Sequence, residues 1–317
     1  MTARPKLALW FRYGPAEHTE LFHALPVIIE TLAREAEVHY FGMRTAKPVP
    51  AVIQQHAVLH WLPFRVRRDS PRDKLVKTLL WLAAIPWMSR TCRRLGVSAV
   101  YMDETIPLAA GLARLCFGRH VAITVADFFV DIYLARWPWR WLGAGVRRAD
   151  LAAWRRLPLI FTRAANTREF LARHGVAAER VRPVYDPCDF TLYRPVPREP
   201  ARQRWGFTPE HVVLVHHGIL HPNKGNDRIL RALAEMKAAC PHLRYLLVGD
   251  GPDMRRLRTL TAELGLEERV CFTGWLPNPE EVNAALNAAD IGLVMRVGRT
   301  SDNFHVTGAL VHSMACG

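Results

Sequence analysis

Short runs of apolar, β-branched residues alternate with longer segments of helical periodicity along most of this 317-residue chain. A helix repeats its apolar face every three to four residues, whereas a strand of a buried parallel sheet is a short continuous apolar run. Because consecutive runs are not joined by two-residue hairpin turns, the pattern favours parallel strands connected by crossover helices. We therefore predict an α/β chain with doubly wound, Rossmann-like sheets.

The first half of the chain is predicted to contain six strands and, after the first of them, a helix at Glu17–Glu35. The strands are Leu7–Phe11, Glu37–Phe41, Val58–Leu62, Ala99–Met102, His120–Val125 and Leu159–Thr162. Three prolines within Tyr193–Pro200 cannot continue a helix or a central strand. We place the linker there and predict domains at 1–195 and 196–317.

The second half repeats the alternation of strands and helices. Its predicted strands are Val212–His216, Leu243–Val248, Val270–Phe272 and Ile291–Met295. Three of its predicted helices are Asp227–Ala238, Pro279–Ala289 and Gly308–Cys316. A fourth begins at Pro252 and ends before Gly265. A doubly wound sheet usually has about six strands, and four follow the linker, so we expect the second domain to be incomplete at Gly317.

The positive charge is concentrated in the first half. Residues 1–197 contain 29 Lys and Arg against 16 Asp and Glu, a net charge of +13. Residues 198–317 contain 14 against 13, a net charge of +1. Such a one-sided excess indicates an acidic partner near the first half, such as nucleic acid, anionic lipid or a phosphorylated substrate.

The cysteines and the hydropathy pattern argue against a disulfide framework and against a membrane-spanning protein. The six cysteines lie far apart, without a Cys-x-x-Cys pair or a histidine cluster at metal-ligand spacing, which favours reduced thiols. The longest uncharged apolar stretch, Thr78–Ser89, has 12 residues, whereas a membrane span needs about 20. Because Met1–Trp10 also lacks the apolar run of a signal peptide, we expect a cytoplasmic protein without a transmembrane helix.

Four ordered blocks in the second half carry a family resemblance. They are Val213–Gly225, which ends in Lys-Gly, Leu246–Pro252, which reads Leu-Leu-Val-Gly-Asp-Gly-Pro, Arg269–Pro277, and Ser313–Gly317, which reads Ser-Met-Ala-Cys-Gly. Together they resemble the nucleotide-binding domain of retaining glycosyltransferases of family 4, group 1, which have the GT-B fold. Val184–Pro195 also resembles the interdomain segment of that family, whereas the first half resembles it only in its rhythm of strands and helices.

The resemblance implies two Rossmann-like domains and transfer of a sugar, with retention, from a nucleoside-diphosphate donor to a glycan or lipid-linked acceptor. The leaving group gains negative charge as the glycosidic bond breaks, and backbone N–H groups at glycine turns and a fixed cation stabilise that charge. Gly218 would let the backbone approach the diphosphate, and Lys224 would supply the cation. The resemblance implies neither a metal ion nor another cofactor.

Several positions depart from the family pattern. Ile219 stands where the family has an arginine, and Phe304 and His312 stand where it has two glutamates. In the family the second glutamate holds the donor ribose, and His312 retains one hydrogen bond for that role. Asp302, two residues before Phe304, is a candidate substitute for the first glutamate after a shift of the loop. A relative that keeps the fold without the chemistry is therefore an open alternative.

Two further candidates lie in the first half. Gly14, after the first strand, is the candidate glycine turn that faces the donor phosphates. Ile123–Phe128 resembles the Thr-x-His-Asp segment of the family, with Ala126 at the histidine position. Asp127 is then the candidate base or acceptor-orienting residue, and a role as a helix N-cap or loop carboxylate is the alternative.

Residues 136–156 combine six arginines with four tryptophans and one aspartate. Indole rings suit the headgroup boundary of a bilayer, and guanidinium groups pair with lipid phosphate, so this segment is a candidate contact with an anionic membrane surface. Lys74–Arg94 is a second candidate contact. The alternative is that the tryptophans pack inward and leave the arginines in water.

Two other function classes are open. Nucleotide-sugar epimerases share the fold and would release free-sugar epimers. A basic nucleic-acid-binding protein would explain the charge of the first half but not the ordered blocks, and no recognition motif is present, so we predict no nucleic-acid partner.

Overall fold

The computed structural model describes residues 4–11, 13–21, 24–44, 47–64, 71–104, 106–125, 140–185, 187–297 and 306–317. The chain divides into two compact units, Met1–Tyr185 and Asp186–Gly317. Each unit has its own parallel sheet with helical crossovers, which confirms the predicted fold class.

The first unit is built on a seven-stranded parallel sheet in the order β3-β2-β1-β4-β5-β6-β7. The strands are β1 (Lys6–Trp10), β2 (Glu37–Gly42), β3 (Ala57–Trp61), β4 (Ala99–Glu104), β5 (Val121–Val125), β6 (Leu159–Thr162) and β7 (Val181–Pro183). The helices are α1 (Pro15–Leu21), α2 (Leu25–Glu35), α3 (Ala51–His56), α4 (Pro71–Leu95), α5 (Ala109–Phe117), α6 (Arg140–Trp154) and α7 (Ala165–Arg173).

The core of the first unit lies against β1 near the middle of the sheet. Trp10 at the end of β1 is fully buried and stacks on Trp81 of α4, with ring centroids 4.0 Å apart. Ile85 and Met88 are also fully buried, and their spacing from Trp81 places all three on one face of α4. The buried face of α4 therefore packs toward the end of β1, where Trp81 meets Trp10.

The second unit has a four-stranded parallel sheet in the order β10-β9-β8-β11. The strands are β8 (Val212–His217), β9 (Leu243–Val248), β10 (Val270–Gly274) and β11 (Ile291–Gly292). The helices are α8 (Glu199–Arg204), α9 (Asn226–Glu235), α10 (Met254–Glu263), α11 (Pro279–Asn287) and α12 (Gly308–Ala315).

Alternate residues of β8 pack into two separate cores, one on each face of the second sheet. Val213 and Val215 of β8 pack with Leu286 of α11 on one face. On the other face Leu214 packs against a cluster that includes Leu230 of α9. Because both faces are covered, the strands are mostly apolar, which is why the sequence identifies them.

An ion pair between a buried arginine and a partly exposed aspartate fixes α8 to the rest of the second unit. The side chain of Arg202 is 5% exposed, and its Nη2 atom lies 2.6 Å from Asp290 Oδ2. That oxygen also accepts the Val213 N–H over 2.8 Å. The remaining N–H groups of the guanidinium donate over 3.0–3.2 Å to three carbonyls, those of Ala288, Thr208 and His211. Arg202 is therefore a hydrogen-bonding hub rather than a surface charge.

The second compact unit begins at Asp186, about ten residues before the predicted boundary at residue 195. Tyr193 is fully buried in the second core, and the Arg194 N–H donates to Asn283 Oδ1 over 3.1 Å. The prolines also do not exclude a helix, because Pro200 lies in the first turn of α8, where a missing N–H costs little.

Two other predicted elements differ from the structure. The single helix predicted at Glu17–Glu35 is two helices, α1 and α2, and Pro26 occupies the first turn of the second. The edge strand β11 ends at Gly292, although the Leu293 N–H continues the ladder by donating to Val215 over 2.8 Å. No helix within the described ranges has the length and apolar character that crossing a membrane requires.

Candidate functional site

The turn after β8 is held by the neighbouring strand. Gly218 has a φ of 119°, a conformation that favours glycine, and its N–H donates to the Val248 carbonyl over 2.9 Å. No other described residue places an atom within 4 Å of where a Cβ of Gly218 would be. The turn is therefore open on this side, at the carboxyl end of a parallel strand where ligands of α/β sheets usually bind.

The turn after β9 packs against the turn after β8. Gly249 and Gly251 both have positive φ, and a Cβ at Gly249 would overlap the Gly218 carbonyl oxygen. A Cβ at Gly251 would likewise overlap the Leu220 carbonyl oxygen. The Leu220 N–H donates to the Asp250 carbonyl over 2.9 Å. These two glycines have a structural role, since a side chain at either would displace the Gly218 turn.

Lys224 ends a short 3₁₀ turn just before α9. The His221 side chain accepts the Asn223 N–H over 3.2 Å, and the Lys224 N–H donates to the His221 carbonyl over 2.9 Å. Gly225 then adopts the left-handed conformation, with a φ of 68°, and α9 begins. Lys224 is thus held at the positive end of the α9 dipole, and both features favour an anion.

His216 lies beneath this turn and is 3% exposed. Burial is the main cause that lowers the pKa of His216 to about 4, followed by the positive charge of Lys224. Arg296 contributes a smaller lowering, against the raising effect of a hydrogen bond with the Leu293 backbone. The ring is therefore neutral at pH 7, and the positive charges that act on it are those of Lys224 and Arg296.

His312 of α12 lies beside the same strand end. Its ring stacks on the fully buried ring of Tyr193, with centroids 3.8 Å apart and an interplanar angle of 7°. The ring of His217, the last residue of β8, lies 5.4 Å from that of His312. Because Gly218 directly follows His217, the predicted residues Gly218, Lys224 and His312 come together at the carboxyl end of β8.

Gly14 belongs to the first unit and is buried. It precedes α1, and its carbonyl accepts the His18 N–H over 2.9 Å. The neighbouring Tyr13 carbonyl accepts the hydroxyl of Tyr40 over 3.3 Å. Gly14 is therefore part of a fixed turn at the carboxyl end of β1.

Several predicted residues lie outside the described residues. They are the candidate base Asp127, Ala126 beside it, and Asp302 and Phe304 near the positions of the family glutamates. Within the ranges that the structure does describe, no group of three or more His, Cys, Asp or Glu side chains is arranged to hold a metal ion.

Sequence reasoning missed His216, Arg296 and Asn226. Asn226, the first residue of α9, is 1% exposed and accepts the hydroxyl of the buried Tyr245 over 2.9 Å. His216 and His217 form a polar pair at the end of the apolar strand β8, and Arg296 follows β11. A rule that inspects the residues at the ends of strands would have found both signals.

The family comparison agrees with this geometry. Residues 211–317 match the family model described as "Glycosyl transferases group 1". The matched segment contains the Gly218 turn, Lys224, Arg296 and His312.

Two curated relatives match part of the chain. The D-inositol 3-phosphate glycosyltransferase of Nocardia farcinica is 34% identical over 140 residues, which are 42% of this chain and 31% of that protein. The 2-deoxystreptamine glucosyltransferase of Streptomyces kanamyceticus is 33% identical over 170 residues, which are 52% of this chain and 42% of that protein. The chain thus matches less than half the length of these relatives.

Solved structures resemble the fold over nearly the whole chain. Sucrose-phosphate synthase from Thermosynechococcus elongatus is 18% identical with a TM-score of 0.76, and the match covers 99% of this chain and 80% of that one. HepE of Anabaena in complex with UDP is 18% identical with a TM-score of 0.68, covering 98% and 78%. The resemblance to GT-B glycosyltransferases of family 4 is therefore confirmed: residues 211–317 match the group 1 glycosyltransferase model, and the fold of the chain is that of GT-B glycosyltransferases.

Proposed function

We propose that this protein transfers a sugar from a nucleoside-diphosphate donor to a glycan or lipid-linked acceptor, with retention of the anomeric configuration. The observation that carries the proposal is the convergence of Gly218, Lys224 and His312 at the carboxyl end of β8. This is the part of the chain that matches the group 1 family model. HepE, a protein of similar fold, has been solved with UDP-glucose, so UDP is the first nucleotide to test.

The chemistry of the turn suits a diphosphate. Gly218 leaves the backbone open to an approaching phosphate, and Lys224 lies at the N-terminus of α9, where the helix dipole favours negative charge. As the bond between the sugar and the diphosphate breaks, the added charge falls on the phosphate oxygens. A cation fixed before the reaction stabilises that charge without reorganisation of the site.

Replacing Lys224 with alanine should weaken the binding of UDP or GDP by about 1.5–3 kcal/mol, the value of a hydrogen bond to a charged group. Isothermal titration of both nucleotides against the parent and the variant measures the change. Lys237→Ala is the matched control, because Lys237 is exposed and donates to the Gly265 carbonyl at the end of α10. Equal affinity in Lys224→Ala and the parent would remove Lys224 from the donor site.

Retention and acceptor class are the finer parts of the proposal. Proton NMR of the first product formed from an α-linked donor reports the anomeric coupling, and a β-linked product would contradict retention. Supplying soluble glycans and lipid-linked acceptors in parallel identifies the acceptor class. Release of a free-sugar epimer would instead support an epimerase.

The proposed membrane contact rests on α6 and the adjacent α5. Trp141 of α6 is 73% exposed and Leu115 of α5 is 84% exposed. Arg148 on α6 is also exposed. By contrast, Trp154 and Trp81 are buried, so part of the tryptophan set belongs to the core. An exposed indole next to arginine is suited to the boundary of an anionic bilayer.

Vesicles of anionic lipid should bind the protein at low salt, and binding should weaken as salt screens the charge. Trp141→Ala should reduce binding at least about fivefold, because partial burial of an indole is worth about 1 kcal/mol or more. Co-sedimentation measures both effects. Trp275→Ala is the control, since Trp275 is half exposed in the second unit. No pelleting with anionic vesicles would contradict the membrane contact.

A nucleotide-binding relative without transfer activity is the second candidate. The side chain of Ile219, where the family has an arginine, is 50% exposed at the open turn and cannot pair with phosphate. His312, where the family has a glutamate, stacks on Tyr193. Binding of UDP without turnover of any tested sugar nucleotide would favour this candidate.

A further inference from the structure

The turn that carries Lys224 is crossed by the segment that follows β11. The Val297 N–H donates to the Asn223 carbonyl over 2.9 Å. A Cβ at Gly225 would lie 2.7 Å from Val297 Cγ1 and 3.5 Å from Met295 Cε. The segment is therefore fixed on the Lys224 turn, and only a glycine at position 225 permits this approach.

Arg296 lies between the two side chains that contact the turn. Because Met295 and Val297 both face Gly225, the intervening Arg296 projects to a different side of the segment. The positive charges of Arg296 and of Lys224 both act on the buried ring of His216. The Nε atom of Arg296 is inaccessible to solvent, so the guanidinium is partly buried in this region. Two cations from distant parts of the sequence thus act on the same buried ring near the end of β8.

The charge of a nucleoside diphosphate favours a second cation at the site. A nucleoside diphosphate carries more than one negative charge at pH 7, and Lys224 supplies a single positive charge. Ile219 supplies none. A guanidinium pairs with phosphate through two parallel hydrogen bonds, which an ammonium cannot reproduce.

We propose that Arg296 is the second cation that binds the donor diphosphate and that it fills the role left vacant by Ile219. This inference rests on the proposed function, because it concerns the same donor site. It assigns phosphate recognition to the segment after β11, whereas sequence reasoning assigned it to the turns after β1 and β8.

The test uses inorganic pyrophosphate and UDP as probes in isothermal titrations of the full chain. Arg296→Gln should weaken pyrophosphate binding about 10- to 100-fold, the effect of losing one charge-assisted hydrogen-bonding group. Arg255→Gln removes the same charge from an exposed position on α10 and should change the affinity less than about twofold. Thermal melting of each variant checks that the fold is retained.

A rescue variant separates a charge effect from a folding effect. In the Arg296→Gln background, Ile219→Arg should restore most of the lost affinity, because it returns a guanidinium to the open turn. A double variant that binds as weakly as Arg296→Gln would overturn the claim that Arg296 fills the role of residue 219.

The remaining outcomes distinguish this inference from the proposed function. Equal pyrophosphate affinity in the parent and Arg296→Gln, or no pyrophosphate binding by the parent, would overturn the inference. If the parent binds pyrophosphate through Arg296 but binds neither UDP nor GDP, the inference stands and the proposed donor is wrong.

Discussion

Asp127→Asn should lower the rate of sugar transfer by about 10²–10⁴-fold, the range expected for loss of a general base. The change is nearly isosteric, but an amide cannot accept the proton that the carboxylate would take from the acceptor hydroxyl. UDP affinity should change less than about twofold, since the donor phosphates are assigned to Lys224 and its neighbours. Transfer from a radiolabelled donor at saturating concentrations gives kcat, and calorimetry gives the affinity.

This substitution also separates the two interpretations of Asp127. Asparagine caps a helix about as well as aspartate, so an N-cap role predicts unchanged transfer in Asp127→Asn. Asp131→Asn, four residues later, makes the same change of charge and serves as the control. An active Asp127→Asn variant would contradict the assignment of Asp127 as the base.

Arg202→Gln should lower the free energy of unfolding of the second unit by about 2–4 kcal/mol, because it removes a buried guanidinium that pairs with Asp290 and donates to three carbonyls. The substitution leaves Asp290 without its 2.6 Å partner and removes donors from the carbonyls of Ala288, Thr208 and His211. Urea denaturation followed by tryptophan fluorescence measures the change, because Trp205 lies directly after α8.

A nearby surface ion pair provides the comparison. Arg204 Nη1 lies 2.7 Å from Glu281 Oε1, and the Arg204 side chain is about half exposed. Solvent screens such a pair, so Arg204→Gln should cost less than about 1 kcal/mol. Equal losses in Arg202→Gln and Arg204→Gln would contradict the assignment of Arg202 as the hydrogen-bonding hub of the unit.

Strands buried on both faces were the most predictable part of the fold. Leu243–Val248 has the predicted bounds, because its apolar residues are interrupted only by Arg244 and are bordered by His242 and Gly249. Val181–Pro183 was missed, since three residues with one arginine carry too little pattern. The short helix Glu199–Arg204 was missed because its proline was interpreted as a breaker rather than as a first-turn residue.

The candidate site was predictable where a short motif or the family resemblance identifies its residues, as for Gly218, Lys224 and His312. Gly218 and Lys224 lie in the short connection between β8 and α9, so a short motif identifies both. The segment that carries Arg296 lies on this connection because β11 pairs with β8 and the Val297 N–H donates to the Asn223 carbonyl. The pairing of distant strands is a tertiary property, and no local pattern specifies it.

We infer that the diphosphate of a sugar nucleotide binds at the turn between β8 and α9. Hydrogen–deuterium exchange with and without saturating UDP or GDP tests this directly, because a bound phosphate protects the backbone N–H groups that it contacts. We expect slower exchange in peptides that cover 216–226 and 293–297 and unchanged exchange in α10. Protection confined to other segments, or identical exchange with and without nucleotide, would contradict the account.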